Sequence, residues 1–118
     1  MMTTFATRAV NGDAVAITPA GRLNMVAAPK LRDQLHELVG AGSSRIVVDL
    51  SGTDFIDSSG LGALVSGLKV ARQAGGDLRI AAPTEQVVTV LELTNLNRVL
   101  RVHESADSAF GPASETVE

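Results

Sequence analysis

Asp54-Phe55-Ile56-Asp57-Ser58-Ser59-Gly60-Leu61-Gly62 is the stretch around which the chain is organised. Before it lies Arg45-Ile46-Val47-Val48-Asp49-Leu50, rich in β-branched residues and too short for an ordinary helix, so it reads as a buried strand. After it, Leu61, Leu64, Val65 and Leu68 recur at helical spacing, and the stem of Arg72 is placed to finish the stripe. The interval between is therefore expected to be a strand-to-helix turn that sets Ser58 and Ser59 at a helix N-terminus. Asp57 or Ser58 is the expected N-cap.

Working outward, Thr3 to Val10 and Ala14 to Thr18 are two strand-like runs, and Asn11-Gly12-Asp13 between them is a hairpin signal. Gly21-Arg22-Leu23-Asn24 reads as a turn into a helix of about 15 residues that ends near Gly40-Ala41-Gly42. Ala28, Leu31, Leu35, Leu38 and Val39 make its buried face, with Pro29 in the first turn, where its missing N–H costs little. Beyond the serine helix, Gly75-Gly76-Asp77 is a stop, and Leu78 to Ala82 is a further strand. Pro83 and Thr84 open a third helix with Val87, Val88, Leu91 and Leu93 on its core side, and Asn95-Leu96-Asn97 breaks it. Val99 to Val102 reads as a short edge strand and Ser105 to Phe110 as a last helix. Residues 112–118 are expected to form a flexible tail after a domain spanning 1–111. The expected class is α/β: a mixed sheet of four to five strands with an N-terminal hairpin, flanked by about four helices.

Composition narrows the function classes. A chain of 118 residues, 45% hydrophobic, is one domain able to bury roughly 65% of its unfolded surface. With three Phe, no Tyr and no Trp it has no platform for stacking bases, and a net charge of −3 argues against nucleic acid or an anionic membrane as partner. The lack of cysteine removes disulfides, thiolate metal sites and cysteine nucleophiles, and fits a cytoplasmic location. No window is apolar enough for membrane insertion.

Enzyme readings of the serine turn fail on their parts. A nucleophile elbow needs Gly two residues before the serine, where this chain has Asp57, and neither His36 nor His103 is placed as a general base. Gly60 and Gly62 stand without a third glycine or a Gly-Lys-Ser/Thr run, so a phosphate loop is excluded. Asp54 and Asp57 make no metal cluster, and no cofactor is expected. What remains is a hydroxyl, Ser58 or Ser59, in a first helical turn. A phosphate there would bring about −1.5 to −2 charges to a spot served by amide N–H groups and the positive end of the helix dipole.

The run Val48-Asp49-Leu50-Ser51 through Asp57-Ser58-Ser59-Gly60-Leu61-Gly62 resembles the signature of the STAS domain, as found in stand-alone bacterial anti-sigma factor antagonists. The likeness extends over about residues 5–110. It implies that Ser59, the serine next to glycine, is the phosphorylated residue. It further implies that the unphosphorylated chain binds an anti-sigma factor that is also a serine kinase and so frees a sigma factor. Phosphorylation ends that contact, and a serine phosphatase resets it. Asn24, Asp57, Ser58, Ser59, Gly60, Leu61 and Gly62 are then the expected partner-binding residues, and the free chain is expected to be a monomer. One departure is visible: Gly21-Arg22-Leu23-Asn24 stands where the family commonly has Gly-Glu-Leu-Asp, a local change of about three charge units that bears on partner choice. The competing expectation is a STAS subunit of a larger signalling or transport-associated assembly, without a serine switch.

Overall fold

Ile46, Val47 and Val48 are all buried, so the strand they form is covered on both faces. In the computed structural model, which describes residues 5–10 and 13–110, this strand is the centre of a five-stranded sheet. Its strands are β1 (Ala6–Val10), β2 (Ala14–Thr18), β4 (Arg45–Asp49), β6 (Asp77–Ala81) and β7 (Val102–His103), side by side in that order. β1 and β2 pair antiparallel with Val10 opposite Ala14, and every other pairing is parallel. The expected mixed sheet and its opening antiparallel pair are thus present, though Asn11 and Gly12 of the predicted turn lie outside the described residues.

Parallel neighbours need long crossovers, and helices supply them. Helix α1 (Ala28–Gly40) joins β2 to β4, α2 (Ser58–Gln73) joins β4 to β6, and α3 (Glu85–Leu93) joins β6 to β7. Leu31 and Leu35 of α1 and Leu64 and Leu68 of α2 share one cluster with Ile46, Val48, Leu78 and Ile80 of the sheet. The opposite face is thinner. There α4 (Ala106–Ala109), opened by a reciprocal cap between Ser105 and Ser108, lays Ala106, Ala109 and Phe110 on Val10, Ala14, Ala16, Val47 and Ala81. The Phe110 ring lies under two guanidinium groups, Arg79 at 4.3 Å and Arg45 at 4.9 Å from its centroid.

Several expectations need correction. Gly21–Leu23 is a strand, β3, and not a turn; it pairs in parallel with β5 (Thr53–Ile56), a strand inside the interval read as a turn. Together they make a second, two-stranded sheet. Thr53 ties it down: its buried hydroxyl donates to the Pro19 carbonyl at 3.0 Å, and its own carbonyl accepts from Thr84 Oγ1 at 2.9 Å. Thr84 therefore holds the N-cap position of α3 without capping it through its side chain. Arg72 does not finish the α2 stripe; Ala63, Gly67 and Ala71 complete it, and Arg72 reaches out to Asp77. Leu93 is 79% exposed, because the face that carries Val87 and Leu91 has rotated past it. His103 lies in the last strand and not beyond it, and a 3-10 turn at Leu96–Arg98 precedes that strand.

Candidate functional site

The serine turn is built by the two-stranded sheet. Leu23 of β3 stands opposite Ile56 of β5, and both are buried. The chain leaves β5 at Asp57 in an extended conformation, and its carboxylate caps α2: Oδ1 accepts from Ser59 N at 2.9 Å and Gly60 N at 3.1 Å. The Asp57 carbonyl accepts from Leu61 N at 3.0 Å. Asp57 is thus the cap that the sequence left open between it and Ser58. Helix α2 begins at Ser58, which puts both serines inside its first turn.

The two hydroxyl-bearing residues differ in setting. Ser58 is exposed, whereas Ser59 is half-buried and lines a groove of about 410 Å³ between the starts of α1 and α2. Met25, Ala28, Pro29 and Arg32 form the α1 side, and Ser59, Gly62, Ala63 and Ser66 form the α2 side. Met25 and Val26 stand 70% and 69% exposed beside it. Asn24 shapes that corner: its Oδ1 accepts from Val26 N at 3.0 Å and Ala27 N at 3.3 Å, and its carbonyl accepts from Ala28 N. Farther along, His36 Nε2 and Ser66 Oγ hydrogen-bond at 2.8 Å across the two helices.

The remaining expected site residues divide by depth. Gly60 is buried, and a Cβ there would lie 2.5 Å from the Leu23 carbonyl oxygen and 2.7 Å from Ile56 Cγ1. Leu61 is 6% exposed and belongs to the core. These two act on the surface from beneath it. Gly62 is exposed, with open space around its α-carbon, and forms part of the groove wall. The sequence reading missed Met25 and Arg32, which share a groove with the serine only through the packing of α1 on α2.

Electrostatics at the turn also differ from expectation. The amides of Ser59 and Gly60 are already occupied by the Asp57 carboxylate, so they are not free to hold a phosphate. Arg22, exposed on β3, stacks on the Phe55 ring at 4.1 Å and gives this corner a fixed cation. Among the described residues no three His, Asp or Glu side chains gather as a metal centre would need, and no helix is long and apolar enough to cross a membrane.

Comparison with known proteins agrees with this geometry. The model of the STAS domain matches residues 6–109. A candidate anti-sigma factor antagonist from Thermotoga maritima is 33% identical over 99 residues, 83% of this chain and 88% of its own length. Its crystal structure superposes with a TM-score of 0.79 at 31% identity, covering 86% of this chain and 87% of the other. The anti-sigma-B factor antagonist of Bacillus subtilis is 25% identical over 97 residues, 82% of this chain and 88% of its own. A match over that span, with the serine turn at its centre, means that the chain belongs to the STAS domain family.

Proposed function

We propose that this protein is an anti-sigma factor antagonist, a cytoplasmic binding module and not an enzyme, switched by phosphorylation of Ser59. The observation that carries the reading is that Ser59 lines a groove together with the exposed Met25, which the exposed Val26 follows in the chain. A partner that covers Met25 and Val26 also covers the serine. Asn24, Asp57, Ser58, Ser59 and Gly62 lie on or at the edge of that contact, with Gly60 and Leu61 supporting it from below. Relatives named as anti-sigma factor antagonists support an anti-sigma factor as the partner.

In the switch, the partner's kinase activity transfers the γ-phosphoryl group of ATP to Ser59 Oγ. A new O–P bond replaces the one to the β-phosphate oxygen, ADP leaves, and the hydroxyl proton passes to a base of the kinase. The product is a dianion beside Asp57 that a closely packed partner would have to desolvate, and a few kcal/mol of such cost is enough for release. A phosphatase returns the serine by hydrolysis. The free chain is a monomer in this reading.

The test is to incubate the chain with ATP and each anti-sigma factor kinase of its genome, and to map the phosphate by mass spectrometry. Label at Ser59 from one of them supports the reading. No label from any would favour a STAS subunit of a larger assembly, for which a second cleft lined by Val88, Leu91 and the exposed Val102 offers an attachment face.

A further inference from the structure

We infer that Arg32 is the receptor for the phosphate on Ser59, so that modification ties α1 to α2 across the groove. This rests on the reading of Ser59 as the modified residue. The start of α2 offers a phosphate little: Ser59 N and Gly60 N bind the Asp57 carboxylate, and Leu61 N binds the Asp57 carbonyl. Displacing Asp57 would exchange one anion for another at the cost of the helix cap. A dianion on Ser59 Oγ is repelled by Asp57 and must turn toward the groove.

Among the residues lining that groove, Arg32 alone carries a charge. Its guanidinium is lightly engaged. Its ion pair is with the adjacent Asp33 at 3.5 Å, and the two side chains are 52% and 69% exposed, a geometry worth little in water. A planar guanidinium takes two phosphate oxygens at once, which a neighbouring carboxylate at that distance does not match. The other charged groups near the site are Lys30 and Asp33 of α1, Asp57 at the cap of α2 and Arg22 of β3, which is stacked on Phe55; the imidazole of His36 also lies on α1. Of these, His36 is held by Ser66. Once bridged, the groove wall next to Met25 is no longer open to a partner, so the phosphate closes the surface as well as charging it.

The experiment places phosphoserine at position 59 during translation, without a kinase, and follows its second ionisation by 31P NMR. In the wild type that ionisation is expected below the ordinary value of about 6. Arg32→Gln is expected to raise it by about half a unit, with Arg32→Lys between the two. Phosphoserine at the exposed position 58 should titrate identically in wild type and Arg32→Gln. The same titration at position 59 in both proteins would overturn the inference, whatever kinases do to the natural chain. Failure of a kinase to label Ser59, with the titration shift present, would remove the switch and leave the Arg32 contact standing.

Discussion

The Leu23 carbonyl and the α-carbon of Gly60 approach so closely that no side chain fits between them: a Cβ on Gly60 would stand 2.5 Å from that oxygen. This is the point where β3 meets the first turn of α2, and Asp57 N also points at the same carbonyl, at 3.4 Å. The glycine after the serine is therefore a packing requirement. Gly60→Ala is expected to destabilise the fold by about 2 kcal/mol, because the facing atom is backbone and cannot step aside. Gly62→Ala has open space and should gain up to about 0.8 kcal/mol from helix propensity. Thermal melts of the two variants should move in opposite directions; a common direction would refute the packing account.

Asp57→Ala removes the acceptor of two amides at once, and about 1 kcal/mol of stability should go with it. Asp57→Asn should recover most of that loss, since Asn also caps. Denaturant midpoints for the pair measure how much of the effect is capping and how much is charge.

Ser59 and Ser58 share a turn but not a groove, and binding should separate them. Ser59→Ala should hold an anti-sigma partner constitutively, and Ser59→Glu should bind at least about a hundredfold more weakly, or 2.7 kcal/mol. Ser58→Glu should cost much less. Calorimetric titration gives all three affinities, and equal values for Ser59→Ala and Ser59→Glu would sink the switch.

Acid should weaken the fold in two steps. Burial alone would raise the Asp77 carboxyl, but hydrogen bonds from Arg79, the Leu78 amide and Arg72, together with the Arg79 charge, outweigh it and hold the group below the usual carboxylate range. His103 is held below the usual imidazole range by burial, then by the charges of Arg79 and Arg101, with Asp77 opposing; its Nε2 is shut from solvent without a hydrogen-bond partner among the described residues. Each group binds a proton more readily in the unfolded chain. The His103 contribution is thus complete above about pH 6.5 and drains as pH falls toward its folded value. The Asp77 contribution is complete above about pH 4 and is lost below it. His103→Gln should flatten the stability profile in the upper window, and Asp77→Asn in the lower one. Urea midpoints across pH 3 to 8 check both, and a wild type that gains stability between pH 7 and 5 would contradict the sign.

Long apolar runs carried most of the fold. Ile46-Val47-Val48 and the spacing of Leu31 and Leu35 in α1 declare themselves because the sheet and the helices bury them completely. β3 and β5 did not, for a physical reason. Gly-Arg-Leu and Thr-Asp-Phe-Ile are too short and too mixed to show a period, and each is a strand only because the other, far along the chain, pairs with it. The residues alone left Ser58 and Ser59 open as the modified hydroxyl, and the family resemblance pointed to Ser59; Asp57 was one of two possible caps. Arg32 was not, since on its own helix it looks like any solvated charge. Leu93 misled because α3 ends before a further turn could show which face was buried.

The pairing of β3 with β5 apart from the main sheet has a consequence for descent. In the proposed function, duplicated copies of such a gene can diverge in whom they recognise by exchanging Arg22, Met25 and Val26, all of them exposed. Leu23 alone among these neighbours must persist, because it is pinned against Gly60 and Ile56. Lineages can thus rewrite the recognised partner while inheriting the serine and its fold unaltered.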